Sequence, residues 1–213
     1  MTNKPKRRIN PKNGMIVHSA KVVRLMDKKE KKDQIMQAAL ELFAQRGYHG
    51  TPVSLIAEQA NVGSGTIYRY FRDKDDLVNT LYRHWKQKFF EETAEQIDLN
   101  QPLRSLFRDI CFKLVQFAEK YRSAFVFMEA HHHSPYLDEE SIAVSERLKE
   151  QFFAVLREGQ AQEVIASGSP EMLYSAVFGI FSETLKMYWN KGQSISTEII
   201  SKIEEMAWQA IRR

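Results

Sequence analysis

Seven residues between positions 64 and 74 have types and spacing suited to one kind of chemistry, hydrogen bonding to a polyanion with exposed base edges. Thr66 offers a hydroxyl and a methyl group to bases, and Arg69 suits guanine or phosphate. Tyr68 and Tyr70 flank that pair; their hydroxyls donate to phosphate oxygens while their rings pack on sugar or on thymine methyl groups. Gly65 lets a backbone approach closely, and Ser64 adds a hydroxyl at the head of the segment. Lys74 places a cation and helix N–H groups near a phosphate backbone. Thr51, further upstream, suits the same task on the other side of a groove.

Other constellations are weaker. His131, His132 and His133 are consecutive, so on a helix they diverge by about 100° per residue and do not converge on one metal ion. One of them, His131, suits the wall of a ligand pocket. The single cysteine, Cys111, lies beside an apolar stripe and reads as a small core residue or a ligand contact. Phe107, Phe125, Met128, Phe152, Tyr174 and Phe178 have the apolar bulk that lines a small-molecule cavity, and equally the bulk of any helical core. No nucleophile elbow, Walker loop, zinc-protease motif or dinucleotide fingerprint occurs, so neither an enzyme nor a bound cofactor is expected. Gly63 to Gly65 has no strand before it and is not a phosphate loop.

The elements that must position these residues are helical throughout. Residues 1–26, with Pro5, Pro11 and Gly14, read as a flexible basic arm, and Met15 or Met26 is an alternative start. A helix is expected from Asp27, where Asp27 and Glu30 have capping-box spacing, carrying Ile35, Ala38, Ala39, Leu42 and Phe43 inward. Gly47 ends it. A second helix starts at Thr51 and Pro52, with Val53, Ile56, Ala57 and Ala60 as its buried stripe. A tight turn over Asn61 to Ser64, with Asn61 or Gly63 left-handed, leads to a third, short helix from Gly65 to Phe71. Ile67 and Phe71 face one side of it and Gly65, Thr66 and Arg69 the other, which is the helix-turn-helix arrangement. Asp73 caps a fourth helix. Five longer helices follow, near 102–121, 124–133, 138–166, 170–190 and 196–213. The fold class is all-α, divided into the arm, a reader at 27–90 and a helical bundle at 91–213.

Composition agrees with that division. The chain has 213 residues, 31 Lys+Arg against 27 Asp+Glu, and a net charge of +4. Residues 1–90 hold 18 basic and 8 acidic side chains, whereas residues 91–213 hold 13 and 19. Only the first part is suited to meet a polyanion. One cysteine excludes an internal disulfide framework, and the longest uncharged apolar run, Met172 to Ser182, is about half of the ~20 residues that cross a bilayer. A protein of the cytoplasm without membrane contact is expected.

The stretch GYHGTPVSLIAEQANVGSGTIYRYFRDKDDLV resembles the DNA-binding region of the TetR-type (tetracycline-repressor-like) regulators. It supplies that pattern at Tyr48, Thr51, Ile56, Ala57, Val62, Gly65, Thr66, Ile67, Tyr68, Tyr70, Phe71, Lys74 and Leu77. It departs at Asn61, where glycine is usual, at Gly63, where a capping serine is usual, and at Ser64, where a basic residue is common. A missing cap weakens the third helix by about 1 kcal/mol. The resemblance implies a homodimer joined through its last two helices, a palindromic operator in double-stranded DNA, and a small-molecule effector bound in the C-terminal part, most often releasing a repressor. Ile180, Leu185, Ile200, Ile203, Ala207 and Ala210 then read as interface, or alternatively as core. A DNA-bound structural factor without inducer is the alternative function.

Overall fold

The computed structural model describes the backbone of residues 12–213 apart from 96 and 99, and side chains from residue 29 onward. Nine helices make up the described residues: α1 (Lys12–Arg46), α2 (Val53–Gln59), α3 (Ser64–Ile67), α4 (Lys74–Thr93), α5 (Leu103–Lys120), α6 (Arg122–His131), α7 (Glu139–Ala161), α8 (Pro170–Asn190) and α9 (Thr197–Ile211). No named strand occurs among them; Ile165 and Arg212 form an isolated bridge.

The helix starts follow local chemistry. Asp73, Asp138, Ser169 and Ser196 each accept a hydrogen bond from the backbone N–H three residues on, which satisfies one of the unpaired donors of a first turn. Pro170 opens α8, where its missing N–H is no loss. The first helix differs from expectation. Its backbone is helical from Lys12, so residues 12–26 are not an arm and Asp27 is not a helix start. No glycine or proline interrupts Met15 to Arg46, and nothing else there stops propagation toward the N-terminus. The remainder of the expected arm, residues 1–11, lies outside the described residues.

At the other end of the chain, α7 stops at Ala161 rather than near 166. Glu163 takes φ 57°, and the N–H groups of Val164 and Ile165 both turn back to the Gly159 carbonyl. A side chain at Gly159 would put its Cβ 2.5 Å from Ile165 Cδ1 and 2.7 Å from Leu103 Cδ2. The glycine therefore lets the chain fold back onto α5.

Two apolar cores result. The first joins α1–α4 through Phe43, Ile56, Ile67, Phe71, Leu77 and Tyr82, and it also takes Phe117, Ala124, Phe127, Met128 and Leu137 from beyond residue 90. The second joins α5–α9 around Phe107, Val115, Leu156, Phe181, Leu185 and Ile203. Helix α6 serves both: Phe127 belongs to the first and Phe125 to the second. The expected interface residues Leu185, Ile200, Ile203 and Ala207 are buried in this second core of their own chain. Of the other two, Ile180 is half-buried and Ala210 is exposed, and what α8 and α9 leave exposed is a stripe of Met172, Ala176, Met187, Met206 and Ala210.

One polar group is deep in the first core. His131 is buried, its Nδ1 sits 2.7 Å from the Phe127 carbonyl, and its Nε2 has no hydrogen-bond partner. Nδ1 therefore carries the proton. Burial lowers its pKa from 6.5, partly opposed by the bond to Phe127. The unfolded chain thus binds more protons than the folded one as pH falls through 6.5, and His84 and His132 are shifted the same way by burial. Stability from these groups is complete above pH 6.5 and is lost below it. Thermal unfolding followed by circular dichroism between pH 7.5 and 5 is expected to show a falling midpoint, with a shallower fall in His131→Phe.

Candidate nucleic-acid interface and ligand cavity

The turn between α2 and α3 is built as its residues suggest. Ala57 and Ala60 are buried where the two helices cross. Asn61 takes the left-handed conformation at φ 52°, while Gly63 is extended at φ −70°. Helix α3 has four residues, Ser64–Ile67, and then tightens into turns through Tyr70 rather than continuing to Phe71. No side chain caps it, so Ser64 does not replace the missing capping serine. Ile67 and Phe71 anchor it in the first core.

The opposite side faces outward. Ser64, Gly65 and Arg69 are exposed, Thr66 and Tyr70 are half-buried, and Tyr68 is 56% exposed, unusual for so large a ring. Tyr70 also leans on the first core. At Gly65 an added Cβ would meet nothing within 4 Å, so nothing inside this chain requires a glycine there. A surface that approaches from outside would give it a reason.

Two of the expected contacts are placed differently. Thr51 is 0% exposed. Its hydroxyl lies 2.8 Å from the Gly47 carbonyl and 3.2 Å from that of Leu42, and Pro52, not Thr51, is the N-cap residue of α2. The hydroxyl thus ties the end of α1 to the start of α2 and is not available to a phosphate. Lys74 is half-buried. Its ammonium donates to the Tyr48 carbonyl at 2.5 Å and lies 4.0 Å over the Tyr48 ring. Burial lowers its pKa, opposed by Asp75. Tyr48 in turn is bonded to Asp75 and stacked on Tyr136 at 4.0 Å; burial and then Asp75 push its hydroxyl up to about 12. Lys74 thus braces the turn before α2 from inside.

Between α4, α5, α6, α7 and α8 lies a cavity of about 670 Å³ with a mostly apolar wall, within the usual range for small ligands. Of the expected pocket residues, Phe125, Met128, Phe152, Tyr174 and Phe178 line it. Phe107, Cys111 and His131 do not. Phe107 packs on Trp208 at 5.2 Å, Cys111 is buried in the second core with its thiol raised well above its ordinary pKa by that burial, and His131 touches Phe43 and Phe127. On α5 the cavity stripe is Leu103, Leu106, Ile110 and Leu114, whereas Phe107, Cys111 and Val115 are one position on, about 100° away. On α6 His132 lines the cavity, not His131. Sequence reasoning missed Lys86, Phe89 and Phe90 of α4 and Leu148, Lys149 and Val155 of α7. The available signal was Lys86, which shares one helical stripe with Tyr82, Phe89 and Phe90.

Comparison with known proteins accords with this geometry. Residues 35–81 match the family described as bacterial regulatory proteins, tetR family, and residues 66–213 match the tetracyclin repressor-like C-terminal domain. A fatty acid metabolism regulator protein of Bacillus subtilis (strain 168) is 42% identical over 73 residues, 34% of this chain and 38% of that protein. The chain thus spans well under half of that relative's length. Among solved structures, a TetR family transcription regulator from Marinobacter aquaeolei VT8 superposes with a TM-score of 0.77 at 20% identity, covering 89% of this chain and 98% of that one. FadR from Bacillus subtilis, solved in complex with stearoyl-CoA, superposes at 0.66 with 23% identity, covering 84% and 98%. These two likenesses establish the fold.

The placement of Thr51 separates a structural from a contacting role. Thr51→Val removes the hydroxyl and leaves the Gly47 carbonyl without that donor, a loss of ~1–2 kcal/mol. Chemical denaturation is expected to show that loss, while the affinity of the folded fraction for DNA stays at the wild-type value.

Proposed function

Because the chain belongs to the tetR family of bacterial regulatory proteins, we propose that it is a ligand-responsive transcriptional regulator. It reads a palindromic operator as a homodimer in the cytoplasm, and a small molecule in the cavity releases it. The most frequent mode, repression, is the reading adopted. The reader is built on α1–α3 and the start of α4, while the ligand and dimer part takes the second half of α4, from Lys86 onward, together with α5–α9. The observation that carries the proposal is the exposed face of α3 and the turn after it, where Tyr68 and Arg69 stand outward beside a glycine with no internal reason to be one. Thr66 and Arg69 would meet base edges while Ser64, Tyr68 and Tyr70 would meet phosphate and sugar. Two such helices in one dimer would enter successive major grooves about 34 Å apart.

The switch follows from shared walls. Helix α6 presents Phe125, Met128 and His132 to the cavity, and Phe127 and His131 to Phe43 of α1. Helix α4 presents Phe89 and Phe90 to the cavity, and Leu77, Val78 and Leu81 to the core under α3. The segment after α6 is tied to α4 as well. Asn79 donates to the Tyr136 carbonyl at 2.8 Å and accepts from the Asp138 N–H at 2.9 Å, and Arg83 grips Asp138 at 2.7 Å. A ligand that shifts α4 or α6 would carry α1 and α3 with it. Coupling of ~1–3 kcal/mol suffices for such a switch. The apolar lining, and the stearoyl-CoA held by the Bacillus subtilis neighbour, support an effector with an apolar chain.

Selection of binding sites from a random DNA pool is expected to return a palindrome. On that sequence Thr66→Ala/Tyr68→Ala is expected to lose about tenfold or more in specific affinity, ~1–3 kcal/mol, with non-specific binding little changed. Unaltered sequence preference in the double variant would remove the assigned reader. For the dimer, the exposed stripe on α8 and α9 is the surface that a second copy would cover. Met187→Glu/Met206→Glu is expected to convert a sedimenting dimer to a monomer with native helix content; a dimer that persists would move the interface elsewhere.

A further inference from the structure

One group in the cavity wall is out of keeping with the rest. Lys86 enters the lining from α4, yet no carboxylate or carbonyl among the described residues accepts a hydrogen bond from it. Its ammonium lies over the face of Tyr82, 5.2 Å from the ring centroid. From α7, Glu146 is held at 2.7 Å by Lys149, which lines the same cavity. From α6, Glu129 carries its own cation, Lys186 at 3.0 Å, together with the Ser182 hydroxyl, and His132 lies in the field of both Lys86 and Lys149. From α8, Tyr174 offers a phenol that burial pushes up to about 12. The remaining carboxylates of the lining, Glu95 and Glu158, lie outside the field acting on Lys86. Burial, and then Lys149, push Lys86 down to about 8, with Glu146 opposing. An ammonium kept in an apolar wall without an acid is destabilising unless something supplies the counter-charge. Among the described residues Glu146 acts on it only from a distance, and none forms an ion pair with it.

Resting on the ligand-responsive reading above, we propose that the cavity takes an amphiphile with one anionic head, seated on Lys86 beside Lys149 and Ser145, and an apolar tail lying along Leu106, Ile110, Phe152 and Val155. A neutral apolar ligand would fill the same space but leave the ammonium unpaired. A polyanion would exceed the charge available, since Lys149 already holds Glu146. The recognised chemistry is therefore an acyl chain ending in a single negative charge, as in a free long-chain carboxylate; a thioester would have to bring that charge from its phosphates.

The test uses the full chain and three probes of equal chain length: hexadecanoate, hexadecan-1-ol and hexadecanoyl-CoA. Titration calorimetry on the wild type is expected to give hexadecanoate a Kd about tenfold or more below that of the alcohol. In Lys86→Met the two are expected to become equal, with alcohol binding unchanged, which also certifies the fold of the variant. Preference for the thioester, whose several phosphate charges make it a polyanion, would overturn the single-charge head even where it depends on Lys86. Equal binding of acid and alcohol by the wild type, an acid preference that survives Lys86→Met, or binding of none of the three probes would overturn the proposal. Operator release scored in the same samples separates the two readings. Release by alcohol and acid alike, independent of Lys86, removes the head-group assignment and leaves the regulator. Lys86-dependent binding without release keeps the assignment and removes the ligand response.

Discussion

The arrangement depends most on a seam of rings between the reader and the cavity. Phe43, fully buried on α1, meets Phe127 at 6.0 Å, His131 at 5.9 Å and Tyr48 at 6.2 Å. Tyr48 continues the seam to Tyr136, and Lys74 closes it from above. Each such pair adds ~0.5–1.5 kcal/mol beyond its buried area. A helix of four residues has no stability of its own, so α3 takes its orientation from Ile67 and Phe71. They sit in a core that α6 closes through Ala124, Phe127 and Met128. Without the seam there would be a surface of the right residues but no fixed direction for it.

How legible these parts were in the sequence follows from how local they are. The reader is contiguous: two alanines, an asparagine that tolerates a left-handed backbone, and a polar side opposite Ile67 and Phe71. Chemistry confined to twenty residues leaves its pattern in twenty residues. Thr51 shows the limit of that locality. A hydroxyl before a proline has the form of a helix cap, and only the tertiary approach of the α1 terminus reveals that the Gly47 carbonyl takes it instead. Similarly, a capping-box spacing at Asp27 and Glu30 matters only where a helix begins, and the backbone of α1 is already helical there.

The cavity was legible only in part because its wall is shared by five helices. On α5 the stripe toward the cavity and the stripe toward α9 are both apolar, and one residue of register exchanges them. Nothing in composition distinguishes a leucine facing empty space from a phenylalanine facing Trp208. The same ambiguity left the apolar residues of α8 and α9 open between interface and core. Leu185, Ile203 and Ala207 have the periodicity of an interface and the burial of a core, and the structure gives them to the core. What remains outside is a methionine stripe, flexible and adaptable side chains that suit a self-complementary contact.

A charged anchor on α4 changes how the switch would work. Lys74 and Lys86 belong to one uninterrupted helix and stand about 18 Å apart along its axis, at 1.5 Å per residue. The first is fixed to Tyr48 beneath the reader; the second faces the cavity without an acid. A purely apolar ligand would act by volume, pressing on α6 through Phe125 and Met128. A ligand whose head pairs with Lys86 would act on α4 directly, by drawing one end of the rod toward its own charge while the other end holds the turn before α2. Volume alone discriminates weakly among apolar molecules, because one methylene is worth about 1 kcal/mol. A single half-buried charge in an apolar wall discriminates acid from neutral lipid more strongly, since the wrong ligand leaves an ammonium unpaired. Selectivity and mechanical leverage would then come from the same side chain.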